Sequence, residues 1–563
     1  MRTTSGRGAT IPAYSVHTGE AMRSSVVVAA ILFAGSLLAG LGFCALLPPY
    51  EGFDESAHYS YIEQIAQTGT WPRLNDPMTG EIDDYLNAAP SPQSARWSYR
   101  AFSQADAAAQ AAGDAAVHNA RDPARPWRAG TRPNWQGQHP PLYYAVLAPL
   151  WSLSKGWSLS AQLLLLRAVS YLFAWGALII ASVMLARPAV APSLRPVLLL
   201  GPAMWPALFP MWFPEMARLG NDSLLLLLLA LAWAVTQTAL APQGRLRYIA
   251  LLGALCGLAA LTKVTALPFV GALGLFLIWR VWRARGDAAL RRVALSRLLT
   301  FGVAVAAVGG WWYLKCYVDY GTPLVSSAAF DVAAHGGLLK GLREHFIWWK
   351  AISGVVQNVR SFAWSGTWSF VFVPRWIEVP LSILVVVIAG GWICRAVKTK
   401  EFSALDSLVL LTFGLFVLAL LQNSLVIIAE VGGFLAGAWY LHCLAPMLAA
   451  FVAIGLEQTS KWRRVRPLIG ALVLFPVPFL VFATTFYLFY FSGCLPEATG
   501  DRRYGLSAIA ACAAAPREVL SHLAVLGDPA IALPLFGAGC FVMLIGLVLF
   551  TIPRFFARPN AAA

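Results

Sequence analysis

The chain has 563 residues, of which 58% are hydrophobic and only 12% are charged. Soluble domains contain about twice that share of charged residues, so the composition excludes a soluble globular protein and predicts an all-α polytopic membrane protein. The net charge of +15 does not require a nucleic-acid partner, because most of it falls in clusters that follow the predicted membrane topology.

Apolar runs of about 20 residues, the length that crosses a bilayer, recur along the chain. They predict about twelve transmembrane helices, near residues 24–47, 160–186, 195–213, 221–241, 247–262, 264–280, 298–313, 377–397, 403–423, 439–457, 467–490 and 530–552. The apolar run 140–153 is shorter, and we interpret it as a helix that lies in the interface or dips into it. No convincing signal-peptidase site follows the first run, which is therefore expected to stay as an uncleaved anchor.

Arginine and lysine clusters mark every second connection between these runs. They lie within residues 2–23, 187–195, 245–247, 280–297, 395–400, 461–466 and 554–558. The positive-inside rule places these connections and both termini in the cytoplasm. The other connections then face the outside, and the candidate chemistry collects there.

Three of the outside loops are large, and they divide the chain. The loops cover residues 48–159, 314–376 and 491–529. The expected parts are a cytoplasmic tail (1–23), a module with the first two large loops (24–376) and a C-terminal set of helices with the third (377–563). Residues 104–116 of the first loop are Ala-rich, which favours a helix. Cys494 and Cys512 share the third loop, where the compartment allows either a disulfide or two free thiols.

Two adjacent carboxylates, Asp54 and Glu55, follow directly on the first apolar run, and His58 comes three residues later. Ionisable groups at membrane depth are costly and often functional. Two interpretations stay open, a solvated helix start, which acidic residues favour, or a catalytic pair. On a helix His58 faces the same way as Asp54, either as a packed or capping histidine or as a ligand of a divalent cation with Glu55 or Asp222.

Three further polar residues, Arg218, Asp222 and Lys263, lie at the outer ends of later runs. Asp222 either orients an acceptor or ligates a metal, or it caps a helix together with Asn221. Lys263 either neutralises a phosphate or snorkels to the interface. The sequence has no Cys/His cluster with zinc-site spacing, no Walker loop and no Gly-rich dinucleotide motif, so it gives no support for ATP-driven transport.

Short motifs follow one another along the predicted outer face. After the Asp54–Glu55 pair come HPPLYY (139–144), RLGNDSL (218–224), GLAALTK (257–263), GGWWYL (309–314) and YGTPL (320–324). Over roughly residues 24–450 the chain resembles the GT-C superfamily of polytopic glycosyltransferases, which includes protein O-mannosyltransferases and lipid A aminoarabinose transferases.

The resemblance implies an inverting membrane enzyme of a bacterial inner membrane, which transfers a sugar from a polyprenyl-phosphate donor to a periplasmic glycan, lipid or protein. Such a transfer needs a base for the acceptor and cations for the leaving phosphate. The catalytic candidates are Asp54 as base, with Glu55 and Asp222, and the phosphate-binding candidates are Lys263 and Arg218. Candidates for lining the substrates are His58, Tyr320, Trp439, Tyr440 and His442. Arg360, Arg375, Trp364 and Trp368 of the second large loop are expected to cover the site, and the two tryptophans equally suit an interfacial aromatic belt. The one cofactor that these side chains suggest is a divalent cation.

One later motif departs from the family pattern. Related bacterial sequences often read Gly-Arg-Tyr-Leu-x-Pro, whereas residues 437–446 read GAWYLHCLAP, without the arginine. This favours a second hypothesis, a non-catalytic GT-C-like assembly protein of the envelope. A third, a transporter or flippase of lipid-linked sugars, fits twelve spans but not the lack of an internal repeat or of mid-membrane polar residues. Convergence of Asp54, Asp222 and Lys263 on one outward-facing cavity would favour the enzyme.

Overall fold

The computed structural model describes residues 14–187, 194–241, 243–400, 403–432, 437–495 and 504–556. Within these ranges ten helices are long and apolar enough to cross a membrane, which confirms the all-α polytopic class. The ten are Met22–Leu46, Leu159–Leu185, Asp222–Ala239, Val264–Arg283, Ala288–Tyr320, Arg375–Thr399, Ala404–Val431, Ala438–Thr459, Arg466–Phe491 and Pro529–Phe556. The remaining helices are Glu55–Thr68, Gly80–Ala88, Tyr99–Ser103, Ala107–His118, Leu142–Leu153, Arg195–Leu208, Trp212–Met216, Leu246–Ala260, Ser327–Ala334, Leu338–His345, Trp348–Ala363, Leu506–Ala513 and Pro516–Ala524.

Two of the twelve predicted spans form helices that are shorter than expected. The helix Arg195–Leu208 contains Pro202 and Pro206, and proline removes a backbone donor and clashes with the preceding turn. The helix Leu246–Ala260 has 15 residues, because the chain turns at Lys263 into the next helix. Both short helices bring the ends of the outer connections into the interior of the protein.

The first and last long helices pack closely through small residues. A Cβ added at Gly539 would lie 2.1 Å from the backbone nitrogen of Ala39, and one at Gly42 would lie 2.4 Å from the backbone nitrogen of Phe536. Glycine therefore allows the two backbones to approach, as is common between helices in a membrane. This contact fixes the end of the first helix, from which the chain enters the Asp54 segment.

The first outside loop is folded. Its strands Pro77–Thr79 and Ala129–Pro133 form a two-stranded antiparallel sheet that aligns Pro77 with Pro133 and Thr79 with Ala129. The Ala-rich segment forms the helix Ala107–His118, as the composition predicts. The short apolar run forms the helix Leu142–Leu153. Helices of this loop pack on one another and on the membrane helices, so the loop shares one hydrophobic core with them.

The third outside loop contains a disulfide. Cys494 and Cys512 are bonded, with their Cα atoms 5.8 Å apart, so the disulfide interpretation is confirmed. The bond closes a loop of 18 residues in sequence, and it ties the helix Leu506–Ala513 to the end of the helix Pro476–Phe491.

The candidate site residues lie at one end of the membrane helices, and the arginines of 280–297 lie at the other. Lys263 immediately precedes the span Val264–Arg283, and Arg280 and Arg283 lie in its last turn. At 1.5 Å per residue the two ends are roughly 30 Å apart. Asp54 follows the first span, and Asp222 begins the span Asp222–Ala239. The candidate residues therefore share one end, and the arginines of 280–297 mark the other.

Candidate active site

The segment after the first helix presents Asp54 on a tight turn. Asp54 has a left-handed backbone (φ 57°), which Asp adopts at lower cost than most residues. Gly52 allows the turn, because a Cβ there would come within 2.8 Å of the Arg218 Cβ. Asp54 precedes the helix Glu55–Thr68 without capping it. Its Oδ1 instead accepts a hydrogen bond from Trp135 Nε1 at 2.7 Å, so the side chain is held outside the helix.

The carboxylate of Asp222 binds two basic side chains. Lys263 Nζ donates to Asp222 Oδ2 at 2.6 Å, and Arg218 Nη2 donates to the same oxygen at 3.3 Å. Arg218 Nη1 also donates to the carbonyl of Phe53 at 2.9 Å, which brings the guanidinium beside Asp54. We name Asp54, Arg218, Asp222 and Lys263 the charged cluster. Asp54, Asp222 and Lys263 therefore lie in one cluster, while their convergence on one outward-facing cavity stays a prediction.

The surroundings of Asp54 tune its basicity. Desolvation raises the pKa of Asp54 above its ordinary value of 3.8, while Arg218 and the hydrogen bond from Trp135 act in the opposite direction. Lys263 lowers and Asp222 raises the same pKa, so all members of the charged cluster act on this carboxyl. A carboxylate with a raised pKa is a better general base than an exposed one.

Glu55 lies in a buried ion pair. Arg167, from the helix Leu159–Leu185, donates to Glu55 Oε1 from Nε at 2.7 Å and to Oε2 from Nη2 at 2.5 Å. This is the bidentate geometry that makes arginine–carboxylate pairs strong. The backbone nitrogen of Leu219 donates to Oε1 at 3.1 Å. With both oxygens occupied and no exposed surface, Glu55 is placed to hold the Asp54 turn rather than to act as the base.

A second buried carboxyl contacts Arg218. Arg218 Nη2 donates to Glu215 Oε1 at 3.0 Å, and burial raises the pKa of Glu215 to about 8. Glu215 Oε2 has no hydrogen-bond partner in the part of the chain that the structure describes. Burial thus favours the neutral form of Glu215. The carboxylates of Asp54 and Asp222 then balance Arg218 and Lys263, and the charged cluster is close to neutral before a phosphate binds.

Lys263 does not snorkel. Its side chain is buried, with 6% of the residue exposed, and Nζ lies 4.8 Å from the ring centroid of Tyr440. Tyr440 belongs to the 3₁₀ helix Ala438–Leu444. The neighbouring Trp439 stacks on Phe53, with ring centroids 5.6 Å apart and planes at 6°. Tyr440 and Trp439 therefore lie beside the charged cluster, where the sequence predicts substrate-lining residues.

His58 packs against aromatic side chains near Asp54. Its Nδ1 lies 3.0 Å from the hydroxyl of Tyr144, and the two rings stack. Burial lowers the pKa of His58 well below its ordinary value, so the ring is neutral. Among the described residues no group of three or more His, Cys, Asp or Glu is arranged to hold a metal ion. The predicted cation ligands Glu55, Asp222 and His58 each have protein partners instead.

Two predicted lining residues lie away from the charged cluster. Tyr320 accepts a hydrogen bond through its hydroxyl from the backbone nitrogen of Leu74 at 3.1 Å, so it anchors the first loop. His442 is fully buried and accepts a hydrogen bond at Nδ1 from Trp205 Nε1 at 2.9 Å. In a 3₁₀ helix residues two apart face different sides, so His442 and Tyr440 point in different directions.

An apolar groove adjoins the other face of the 438–444 segment. It has a volume of about 400 Å³ and is lined by Trp205, Phe209, Asn358, Val359, Phe362, Val385, Ile388, Ala389, Trp392, Ile393, Leu410, Phe413, Ala438, Leu441, Leu448, Phe451 and Val452. Its walls come from membrane helices and from the helix Trp348–Ala363. One short segment therefore contributes Tyr440 to the charged cluster and Ala438 and Leu441 to the groove.

Trp368 lies beside Trp135, the residue that binds Asp54, and a buried carboxyl holds the Trp368 segment. The Trp368 ring lies 6.1 Å from the ring of Trp135. Glu51 binds the residues on both sides of Trp368, accepting from Thr367 Oγ1 at 2.6 Å and from the backbone nitrogen of Ser369 at 3.0 Å. Burial raises the pKa of Glu51 to about 7. Covering of the site by this loop stays a prediction, because Trp364 packs on Phe479 and Arg360 pairs with Glu378. The attachment of the Trp368 segment depends on a titratable group.

Sequence reasoning missed Arg167, Glu51, Trp135 and Glu215 as parts of this site. Arg167 carried a usable signal, because it is a lone arginine within the apolar run 160–186 and such a residue needs a buried partner. The partner itself, Glu55, is 112 positions away, and no local pattern connects the two.

Comparison with known proteins gives low-identity structural likenesses. No family model and no curated protein match the chain. The crystal structure of ArnT from Cupriavidus metallidurans bound to undecaprenyl phosphate is 13% identical, covers 95% of this chain and 78% of its own, and has a TM-score of 0.39. The apo oligosaccharyltransferase of Archaeoglobus fulgidus is 12% identical, covers 84% of this chain and 56% of its own, and has a TM-score of 0.38.

A second structure from Archaeoglobus fulgidus, AglB in complex with an inhibitory peptide and a dolichol-phosphate, is 11% identical, covers 92% of this chain and 56% of its own, and has a TM-score of 0.34. With TM-scores below 0.5, these likenesses carry no argument about function, which rests on the side chains of this chain.

Proposed function

We propose that this chain is an integral-membrane glycosyltransferase that moves a sugar from a polyprenyl-phosphate donor to an envelope acceptor, on the periplasmic side of a bacterial inner membrane. The observation that carries the proposal is the charged cluster, in which a half-buried Asp54 with a raised pKa lies next to Arg218 and Lys263. The apolar groove beside it supports a lipid-linked donor. The order of the sequence motifs supports the same class of enzyme.

In the proposed reaction Asp54 removes the proton from an acceptor hydroxyl or amine. The acceptor atom forms a bond to the anomeric carbon of the sugar as the bond from that carbon to the phosphate oxygen breaks. The bonding electron pair leaves on the phosphate, and Lys263 and Arg218 offset its charge. One displacement inverts the anomeric centre. Trp135 and the Glu55–Arg167 pair are positioning residues, because they hold Asp54 without reaching the reacting atoms.

The proposed donor keeps its tail in apolar surroundings throughout. Each buried methylene is worth about 0.8 kcal/mol, so an isoprenoid tail stays in lipid or in the groove while its phosphate reaches the charged cluster. The 438–444 segment supports this route, since it touches both places. Lys263 retains two further N–H donors for the phosphate after binding Asp222.

The test is sugar transfer by purified protein in liposomes, with a labelled polyprenyl-phosphate sugar and an envelope extract as acceptor. Asp54→Asn should lower the rate by about 100- to 10,000-fold, the usual contribution of a general base, while the protein inserts and elutes normally. Asp114→Asn is the matched control, because Asp114 is half-exposed and its nearest partner, His118, is 3.9 Å away. Transfer that survives in Asp54→Asn at more than about a tenth of the normal rate would refute the assignment of the base.

A further inference from the structure

A second cavity lies at the end of the protein opposite the charged cluster. Its volume is about 640 Å³, within the range of ligand sites. Four helices form it with their ends, and its lining is Gln237, Leu240, Ala241, Phe276, Leu277, Trp279, Arg280, Arg283, Ala284, Leu290, Val293, Ala294, Arg297, Ala404 and Leu405. We name it the basic cavity. It is far from Asp54 and takes no part in the proposed transfer.

The charge of the basic cavity has one sign. Arg280, Arg283 and Arg297 line it, and none of the described residues that line it is acidic. In the described part of the chain Arg280 and Arg283 form no ion pair with a carboxylate. Two carboxylates close to the lining in sequence cap helices instead, Asp287 at Ala288–Val305 and Asp406 at Ala404–Val431. The cavity therefore attracts an anion.

Hydrogen bonds to the backbone hold two of the guanidinium groups at the cavity wall. Arg280 Nη1 donates to the carbonyl of Leu240 at 2.8 Å, and Arg297 Nη2 donates to the carbonyl of Gly244 at 2.7 Å. Arg283 lies over the ring of Trp279, with Cζ 5.4 Å from the centroid. A guanidinium has five N–H donors in a planar fork that suits phosphate, so Arg280 and Arg283 keep donors for a ligand.

The other walls are apolar and open outward. Phe276, Leu277 and Leu405 line the interior, while Leu290 is 60% exposed and Val293 is 51% exposed at the mouth. Such apolar walls would contribute nothing to the binding of a free phosphate or a nucleotide, whereas acyl chains would pack against them. Basic pockets between membrane helices on the arginine-rich side bind the head groups of anionic lipids.

From this combination we infer that the basic cavity binds an anionic phospholipid, with its phosphate on Arg280, Arg283 and Arg297 and its acyl chains along Phe276, Leu290 and Val293. By the positive-inside pattern this lipid belongs to the cytoplasmic leaflet. The site is independent of the proposed glycosyl transfer, so failure of one leaves the other standing.

Native mass spectrometry of the delipidated full chain in neutral detergent tests the inference with three probes, which are phosphatidylglycerol, phosphatidylcholine and inorganic phosphate. Phosphatidylglycerol should bind, and the double variant Arg280→Gln/Arg283→Gln should weaken it about 30-fold, given the usual contribution of a basic residue to anionic-lipid binding. The charge-matched control is Arg291→Gln/Arg292→Gln, since both arginines are exposed and neither lines the cavity. This control should bind normally.

Three results would overturn the inference. They are equal binding of phosphatidylcholine, competition by inorganic phosphate at equal concentration, or an equal loss in the control. Should the double variant fail to fold, because Arg280 anchors Leu240, Ala294→Trp tests the site by filling it. Phosphatidylglycerol binding must then fall, and unchanged binding in Ala294→Trp would likewise refute the site.

Discussion

Replacing Glu55 by glutamine separates a supporting carboxylate from a reacting one. Glu55 has no exposed surface and shares two hydrogen bonds of 2.5 and 2.7 Å with Arg167. Glu55→Gln leaves the Arg167 guanidinium buried without a counter-charge. Removing one partner of a buried pair costs about 3–5 kcal/mol. The lower end applies here, because Arg167 keeps the carbonyls of Cys44, Leu47 and Pro48 as acceptors.

The assay is equilibrium unfolding in mixed micelles, combined with transfer measured per folded molecule. Glu55→Gln should lower the free energy of unfolding by about 3 kcal/mol and change transfer per folded molecule by less than about tenfold. The double variant Glu55→Gln/Arg167→Met should recover part of the stability, because no unpaired charge is left buried. The reverse result, normal unfolding with a loss of transfer of about 100-fold or more, would show that Glu55 reacts and would refute its supporting role.

Three other predictions follow from the site and the topology. Lys263→Ala should raise the KM for the lipid donor strongly and Lys263→Arg less so, with the acceptor KM unchanged in steady-state kinetics; an unaltered donor KM would reduce Lys263 to a structural residue. Burial raises the pKa of Glu51 from 4.5 to about 7. The protonated Glu51 carboxyl therefore stabilises the folded protein fully below pH 4.5, and this stabilisation is lost as the pH rises through 7. This loss amounts to roughly 3 kcal/mol, and Glu51→Gln should remove this share of the slope in thermal unfolding between pH 5 and 8. An impermeant thiol reagent on intact cells should label Ala95→Cys and not Ala288→Cys, and the opposite pattern would invert the topology.

Much of the fold follows from local patterns. The helices appear where apolar length predicts them, and the Ala-rich helix and the disulfide of the third loop agree with composition and compartment. Asp54, Asp222 and Lys263 were predicted because each lies at the end of an apolar run on one side of the alternation of basic clusters. The three residues meet in one cluster because they lie on the same side of the predicted membrane topology.

Other parts of the site depend on contacts that no local pattern encodes. Arg167 and Glu55 are separated by 112 positions, and the attachment of the Trp368 loop to Glu51 spans more than 300. The direction of a side chain on a short turn likewise cannot be predicted from a local sequence pattern. Tyr440 and His442 share the motif at 437–446, yet one meets Lys263 and the other is enclosed by Trp205 and Phe362.

Mass analysis of the cell-envelope glycans tests the central claim most directly. A strain that lacks this chain should lose one sugar residue from one class of envelope glycan, lipid or protein. The unaltered chain should restore that mass, and Asp54→Asn, present in the membrane at the same level, should not. Full restoration by Asp54→Asn, or no change of any envelope mass in the deletion strain, would contradict a glycosyltransferase whose base is Asp54.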